Sequence, residues 1–269
     1  MRHLTSPSGT RIEIDTHGSG PPLVLVHGSF SDHRDNWQFV APLLSQRFTV
    51  HAVARRGRGQ TDATTGHSIE DEAQDIAAVV RSIDEPVFLL GHSYGAQVAL
   101  AAALQLPDRV RKLVLYEAPW PDAIEAQAMA GLEALASAGD WERFALTFFG
   151  DLLGVPTPEL QALRASELWP PIVADAKASL RDLRALRQHR FDAERFRALR
   201  MPVLLQIGSD SPRELYVTDA LDKVLPDVRI EVLPGQAHEG MTTAPEMFGE
   251  AVSRFLLQDR GLGDARAAA

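Results

Sequence analysis

Four places in this chain hold residues whose types and spacing could act together chemically. Ser93 lies in Gly91-His92-Ser93-Tyr94-Gly95, and His238 lies in Pro234-Gly235-Gln236-Ala237-His238-Glu239-Gly240. Two carboxylates, Asp210 and Glu117, compete for a place behind that histidine. A serine hydroxyl is a poor nucleophile at neutral pH. It needs a base to take its proton, and the base needs an acid to orient it and to stabilise the imidazolium. A set of this kind forms and breaks acyl bonds. Asp210, in Gly208-Ser209-Asp210-Ser211-Pro212, gives the chain order serine, aspartate, histidine and is the preferred acid. Glu117, which ends an earlier apolar run, is the alternative. Each also has an ordinary role: a turn residue ahead of Pro212 for Asp210, a structural carboxylate for Glu117.

The oxyanion that develops during acyl transfer needs two positioned donors. The backbone amide of Tyr94 is one candidate. The other comes from the loop His27-Gly28-Ser29-Phe30, from Ser29 or alternatively Phe30, because small residues at Gly28 and Ser29 let the backbone approach a substrate. His92 and His27 are expected to make structural hydrogen bonds. His3, His17, His33, His51, His67 and His189 read as surface or loop residues.

The elements around these groups must hold them. G-x-S-x-G arises by chance about 0.1 times in a chain of this length, so its surroundings decide. The apolar run Val87-Phe88-Leu89-Leu90 precedes it and the helical run Ala96-Gln97-Val98-Ala99-Leu100 follows. A sharp strand-to-helix turn presents the serine hydroxyl above a sheet, beside the first N–H groups of the new helix. Further buried strands are expected at 23–26, 48–53, 110–116, 203–207 and 229–233, with helices at 35–46, 68–84, 213–225 and 244–258. Ser68 with Asp71 three residues on is a carboxylate variant of the capping box. Strands alternating with helices imply an α/β fold: a mostly parallel, doubly wound sheet covered by helices on both faces. Ligands bind such sheets at the carboxyl ends of the strands, where Ser29, Ser93, Glu117, Asp210 and His238 all fall.

From 120 to 198 the rhythm changes. Four helical segments at 122–138, 140–153, 158–167 and 171–189 follow one another without a strand. This reads as an all-helical cap inserted into a core formed by 1–119 and 199–260, with 261–269 a disordered tail. Phe30, Trp120, Trp141, Phe148 and Trp169 are the expected substrate-lining residues.

Composition narrows the alternatives. The 269 residues carry a formal net charge of -9, which argues against a polyanionic partner such as nucleic acid. Arg55, Arg56 and Arg58 form a local basic group, read as a solvated face. The absence of cysteine removes disulfides, thiolate zinc sites and a thiol nucleophile. No apolar h-region opens the chain and no apolar run approaches the length of a membrane span. A cytoplasmic protein without membrane attachment is expected, its oligomeric state open.

Taken together, Val26-His27-Gly28-Ser29, Arg55-Arg56-Gly57-Arg58-Gly59, Gly91-His92-Ser93-Tyr94-Gly95 and Gly235-Gln236-Ala237-His238 resemble, in order, the α/β-hydrolase fold superfamily over residues 10 to 258. The resemblance implies Ser93 as nucleophile, His238 as base, Ser29 and Tyr94 as oxyanion donors, a helical cap, and no cofactor. Ala54 and Ser211 depart from the pattern, each standing where many relatives have an aspartate. The second departure keeps Glu117 open as the acid. A serine at the elbow, rather than a carboxylate, fits acyl transfer on a small molecule. The expected reaction is hydrolysis of a carboxylic ester, lactone or thioester through an acyl-enzyme. The alternatives are a cofactor-free C–C hydrolase, perhydrolase or lyase on the same residues, or a non-catalytic small-ligand-binding protein. A lyase would be expected to place a lysine, such as Lys177, near the serine.

Overall fold

The computed structural model describes residues 1–63 and 66–258; the expected tail at 261–269 lies outside them. Eight strands form one sheet: β1 (Arg2–Thr5), β2 (Arg11–His17), β3 (Pro22–Val26), β4 (Thr49–Val53), β5 (Val87–His92), β6 (Val110–Tyr116), β7 (Val203–Gly208) and β8 (Val228–Leu233). Their order across the sheet is β1-β2-β4-β3-β5-β6-β7-β8. The first two strands pair antiparallel and the other pairings from β4 onward are parallel. The helices are α1 (Ala41–Leu44), α2 (Ile69–Arg81), α3 (Tyr94–Leu104), α4 (Ala126–Ser137), α5 (Trp141–Thr147), α6 (Thr157–Arg164), α7 (Trp169–Gln188), α8 (Thr218–Val224), α9 (Gly240–Thr243) and α10 (Pro245–Leu257).

The continuous apolar runs become central strands because side chains alternate between two covered faces. Val24, Val26, Leu89, Leu113 and Leu205 pack with α2, α3 and α8 on one face. Leu23, Leu25, Phe88, Leu90, Val114 and Leu204 pack with Trp37, Leu44 and α10 on the other. Each such Leu or Val taken fully out of water stabilises the fold by roughly 1.5–3 kcal/mol. Ser68 caps α2 by accepting the Asp71 amide at 3.0 Å, as the spacing predicts.

Two expected helices are broken, whereas the last, expected at 244–258, is intact as α10. The segment 35–46 is a 3-10 turn at Asp35–Trp37 followed by the single turn α1. The segment 213–225 divides at Tyr216, which is extended and bridges Pro119, before α8 begins. The last helix is preceded by the separate turn α9.

Between β6 and β7 the described chain is helical, α4 to α7 with a π-helical turn at Phe148–Leu152. These helices share a third apolar cluster of their own, which also takes in Phe30 from the loop after β3. Charge crosses the same boundary. Arg55 and Arg58, read from sequence as a solvated face, are only 2% and 3% exposed. The correction has a physical cause: helix α7 supplies Asp175 and Asp182 as their buried partners. His33 and His51 are likewise buried rather than superficial, beside Glu13 and Asp15 and on Thr16 respectively.

Candidate active site

Ser93 stands at the junction of β5 and α3 with φ 53 and ψ -125. A non-glycine residue in this region is strained, of order 1–3 kcal/mol, and persists only where its surroundings dictate it. Here they do. The Ser93 amide donates to the Tyr116 carbonyl at 2.9 Å. A Cβ on Gly91 would run into the Gly95 carbonyl and Ala96 Cα, and one on Gly95 into the carbonyls of Val26 and His27. The two glycines are therefore what lets strand and helix meet at this angle.

His238 follows β8. Its Nδ1 lies 2.6 Å from Glu117 Oε2. An ionised carboxylate only accepts, so this contact places a proton on Nδ1 and leaves Nε2 as the basic ring nitrogen. Glu117 is 1% exposed and its other oxygen accepts the Gly208 amide at 2.8 Å. Its own backbone is left-handed, φ 51, where the chain leaves β6. Asp210, preferred on chain order, is not brought to His238. It is exposed one turn past β7, where its carboxylate accepts the Ser209 hydroxyl at 2.7 Å. The carboxylate on the histidine thus comes from the end of β6, one strand nearer the elbow than sequence order favours.

Two aromatic groups fix the imidazole plane. Tyr216 stacks on it at 5.6 Å between centroids and 11° between planes, with its hydroxyl 3.2 Å from Nδ1. Sequence reasoning missed Tyr216, because the residue lies in the break between two helical turns that reads as continuous helix. His92 lies against the other ring neighbour at 4.8 Å, with its Nε2 3.0 Å from the His238 carbonyl. Its hydrogen bond is structural, as expected, and burial pushes its pKa well below the ordinary value. His27 likewise shapes its loop, with Nδ1 2.8 Å from the Gly28 carbonyl and Nε2 accepting the Arg55 amide.

Electrostatics at the centre follow from burial opposed by pairing. Burial disfavours a charge on His238, but the hydrogen bond and charge of Glu117, with a smaller contribution from Glu239, raise its pKa above the usual histidine value. Burial also opposes the Glu117 charge, yet His238 holds its pKa below the usual glutamate value. Burial, with a smaller contribution from the Glu117 charge, lifts Glu239 to about 7 against the attraction of His238.

Ser29, Phe30, Ser93, Tyr94, Tyr216, His238 and Glu239 border one cavity of about 60 Å³. Phe148, Phe149, Leu152, Leu153, Leu183 and Leu186 close it from the helices between β6 and β7. Among the described residues, the amides of Ser29 and Tyr94 have no acceptor within the chain, whereas the Phe30 amide donates to Ser179 Oγ at 2.6 Å. Of the expected lining residues, Phe30 and Phe148 border this cavity. Trp120, Trp141 and Trp169 do not, because they pack on Phe191, Phe144 and Phe149 respectively. No described lysine or arginine borders it; Lys177 faces a separate cavity beside α4 and α7. No described helix is long and apolar enough to cross a membrane.

Comparison with known proteins agrees with this architecture. The 2-(acetamidomethylene)succinate hydrolase of Mesorhizobium japonicum is 31% identical over 91% of this chain and 91% of its own length. A pimeloyl-[acyl-carrier protein] methyl ester esterase of Nitrosomonas europaea is 32% identical over 88% of this chain and 96% of its own. Among solved structures, an alpha/beta hydrolase from Sphaerobacter thermophilus superposes with a TM-score of 0.82 at 28% identity, covering 95% of this chain and all of that one. An esterase from Rhodococcus sp. ECU1013 superposes with a TM-score of 0.77 at 26% identity, covering 95% of this chain and 98% of that one. The family model described as the alpha/beta hydrolase family matches residues 23–251. Sheet order, elbow and sequence relationship converge, and the chain belongs to the alpha/beta hydrolase family.

Proposed function

We propose that the protein is a serine hydrolase that cleaves a carboxylic ester of a small, uncharged acyl group through an acyl-enzyme. The observation that carries this reading is the Glu117–His238 hydrogen bond of 2.6 Å, behind an imidazole that borders the same cavity as Ser93. In the proposed cycle Ser93 Oγ attacks the ester carbonyl carbon as its proton passes to His238 Nε2. The C–O bond to the leaving group then breaks, and the alkoxide takes that proton. Water, deprotonated by His238, attacks the acyl-enzyme and frees Ser93. Glu117 is the acid of the triad and keeps the proton on Nδ1. The amides of Ser29 and Tyr94 receive the oxyanion. The helices α4 to α7 act as a cap over the site.

Size and charge define the substrate class. On the measure by which one water needs about 10–15 Å³, a cavity of about 60 Å³ accommodates roughly four to six non-hydrogen atoms. Its walls are mostly Leu, Phe and Ile side chains, and among the described residues that line it Glu239 alone is acidic. A second carboxylate on the acyl group, as in the succinate derivative named for the Mesorhizobium relative, would find no cation here among the described residues. A rate profile across p-nitrophenyl acetate, butyrate, octanoate and a hemisuccinate tests the reading. Acetate or butyrate is expected to turn over fastest; a preference for hemisuccinate, or full activity in Ser93→Ala, contradicts it.

A further inference from the structure

We propose that helix α7 positions the oxyanion loop: Asp182 and Ser179 are positioning residues that hold Ser29 and Phe30, so that the site is complete only with this helix in place. The inference rests on the assignment of the Ser29 and Tyr94 amides as oxyanion donors.

Three polar residues, Asp175, Ser179 and Asp182, fall at i, i+4 and i+7 on α7 and so share one face. All three turn inward, Ser179 and Asp182 being fully buried. Asp182 Oδ2 accepts the Ser29 hydroxyl at 2.8 Å. Ser179 Oγ accepts the Phe30 amide at 2.6 Å and donates to Asp175 Oδ2 at 2.7 Å. Phe30 itself is held at φ 58, a conformation that a residue with a Cβ adopts only under constraint. With its amide engaged by Ser179, the peptide plane between Ser29 and Phe30 is fixed, and the preceding plane, which carries the Ser29 amide, is held through the Gly28 carbonyl by Arg55.

The loop is anchored from behind by the same charges. Arg55 donates to Asp182 Oδ2 at 2.6 Å and to the carbonyls of His27 and Gly28, both at 2.9 Å. Its guanidinium lies 4.5 Å from the centre of the Tyr94 ring. Arg58 reaches both Asp175 and Asp182 with paired contacts of 2.7–3.0 Å. One buried network thus meets both residues whose amides are the proposed oxyanion donors, and Arg55 joins Glu72 of α2 to Asp182 of α7 within it. A dry, low-dielectric setting makes such a network stiff when every member is paired. A purely structural clasp would have no need to end on Ser29 Oγ and the Phe30 amide.

Misplacing a transition-state donor by about 1 Å costs about 100-fold in rate, so Ser179→Ala and Ser29→Ala are expected to lower kcat about 10- to 100-fold. KM for p-nitrophenyl butyrate should stay close to wild type. Affinity for butylboronic acid, whose tetrahedral adduct places an oxygen among the same donors, should fall by the factor lost from kcat. Ser29 is only half-buried, so Ser29→Ala remains a folded test if Ser179→Ala does not fold. Wild-type kcat and boronate affinity in Ser29→Ala would overturn the inference, as would a loss confined to KM or to thermal stability. Fluorophosphonate labelling of Ser93 in the wild type separates the two levels. Labelled Ser93 with unaffected variants sinks the positioning role alone, whereas unlabelled Ser93 and an active Ser93→Ala sink the functional reading beneath it.

Discussion

Glu117 Oε2 lies 2.6 Å from His238 Nδ1, while the Asp210 carboxylate accepts, among the described residues, from its neighbour Ser209 alone. Glu117→Gln should therefore lose kcat by about 10²- to 10⁴-fold, because an amide no longer holds the imidazole in the tautomer that can take the Ser93 proton. Asp210→Asn should turn over at the wild-type rate and alter stability by no more than about 0.5 kcal/mol. Steady-state kinetics on p-nitrophenyl butyrate decides between them. The reverse pattern would return the acid to Asp210.

The carboxylate that meets His238 is legible in the sequence only in part. Ser211 stands where the family pattern has an aspartate, and that departure left Glu117 open, but chain order favoured Asp210. What order cannot convey is that Glu117 leaves β6 with φ 51 and that Gly208, on the neighbouring strand, binds its second oxygen. The elbow was easier to read, since steric demand at Gly91 and Gly95 is written in residue type. The buried role of Arg55 and Arg58 was not legible at all. Their shared partner Asp182 lies more than 100 residues away on α7, and local composition looks the same for a solvated and a paired arginine.

The pH profile follows from His238, which must be neutral to act as base. Its pKa lies above 6.5, so kcat/KM should climb with pH through a limb centred above that value. Glu239 titrates near 7 beside it, and the two therefore share macroscopic steps. A negative Glu239 favours the imidazolium. Glu239→Gln should consequently move the limb to lower pH, measured as kcat/KM between pH 5 and 9. An unmoved or upward-shifted limb would show that Glu239 does not act on His238.

Asp182 also carries a stability prediction. The Arg55 and Arg58 guanidinium groups, working against burial, hold its carboxyl well below the usual 3.8. A depressed folded pKa gives stability that is complete above the unfolded value and is lost as pH falls below it. Asp182→Asn should lower stability by about 3–5 kcal/mol near neutrality, since it leaves two buried cations short of a partner. The gap to wild type should narrow only below pH 3.8. Urea unfolding at pH 7 and at pH 3 checks both statements.

On the proposed reading, the cavity wall sets acyl length. Phe148 borders the cavity and packs 4.4 Å from Phe30 between ring centroids. Phe148→Ala should shift the preferred p-nitrophenyl ester from acetate or butyrate towards octanoate. Trp141→Ala, which removes a ring outside the cavity, should leave the preference where it is. A chain-length profile that ignores both substitutions would place the acyl group elsewhere.

The most direct test of the central claim is intact-protein and peptide mass spectrometry after rapid quenching with p-nitrophenyl butyrate. One butyryl group per chain, located on Ser93 and absent from Ser93→Ala, is the predicted result. Ser93→Ala should also lose roughly 10⁶-fold in kcat, with His238→Ala adding little to that loss. Turnover at the wild-type rate with no acyl group on Ser93 would contradict the account.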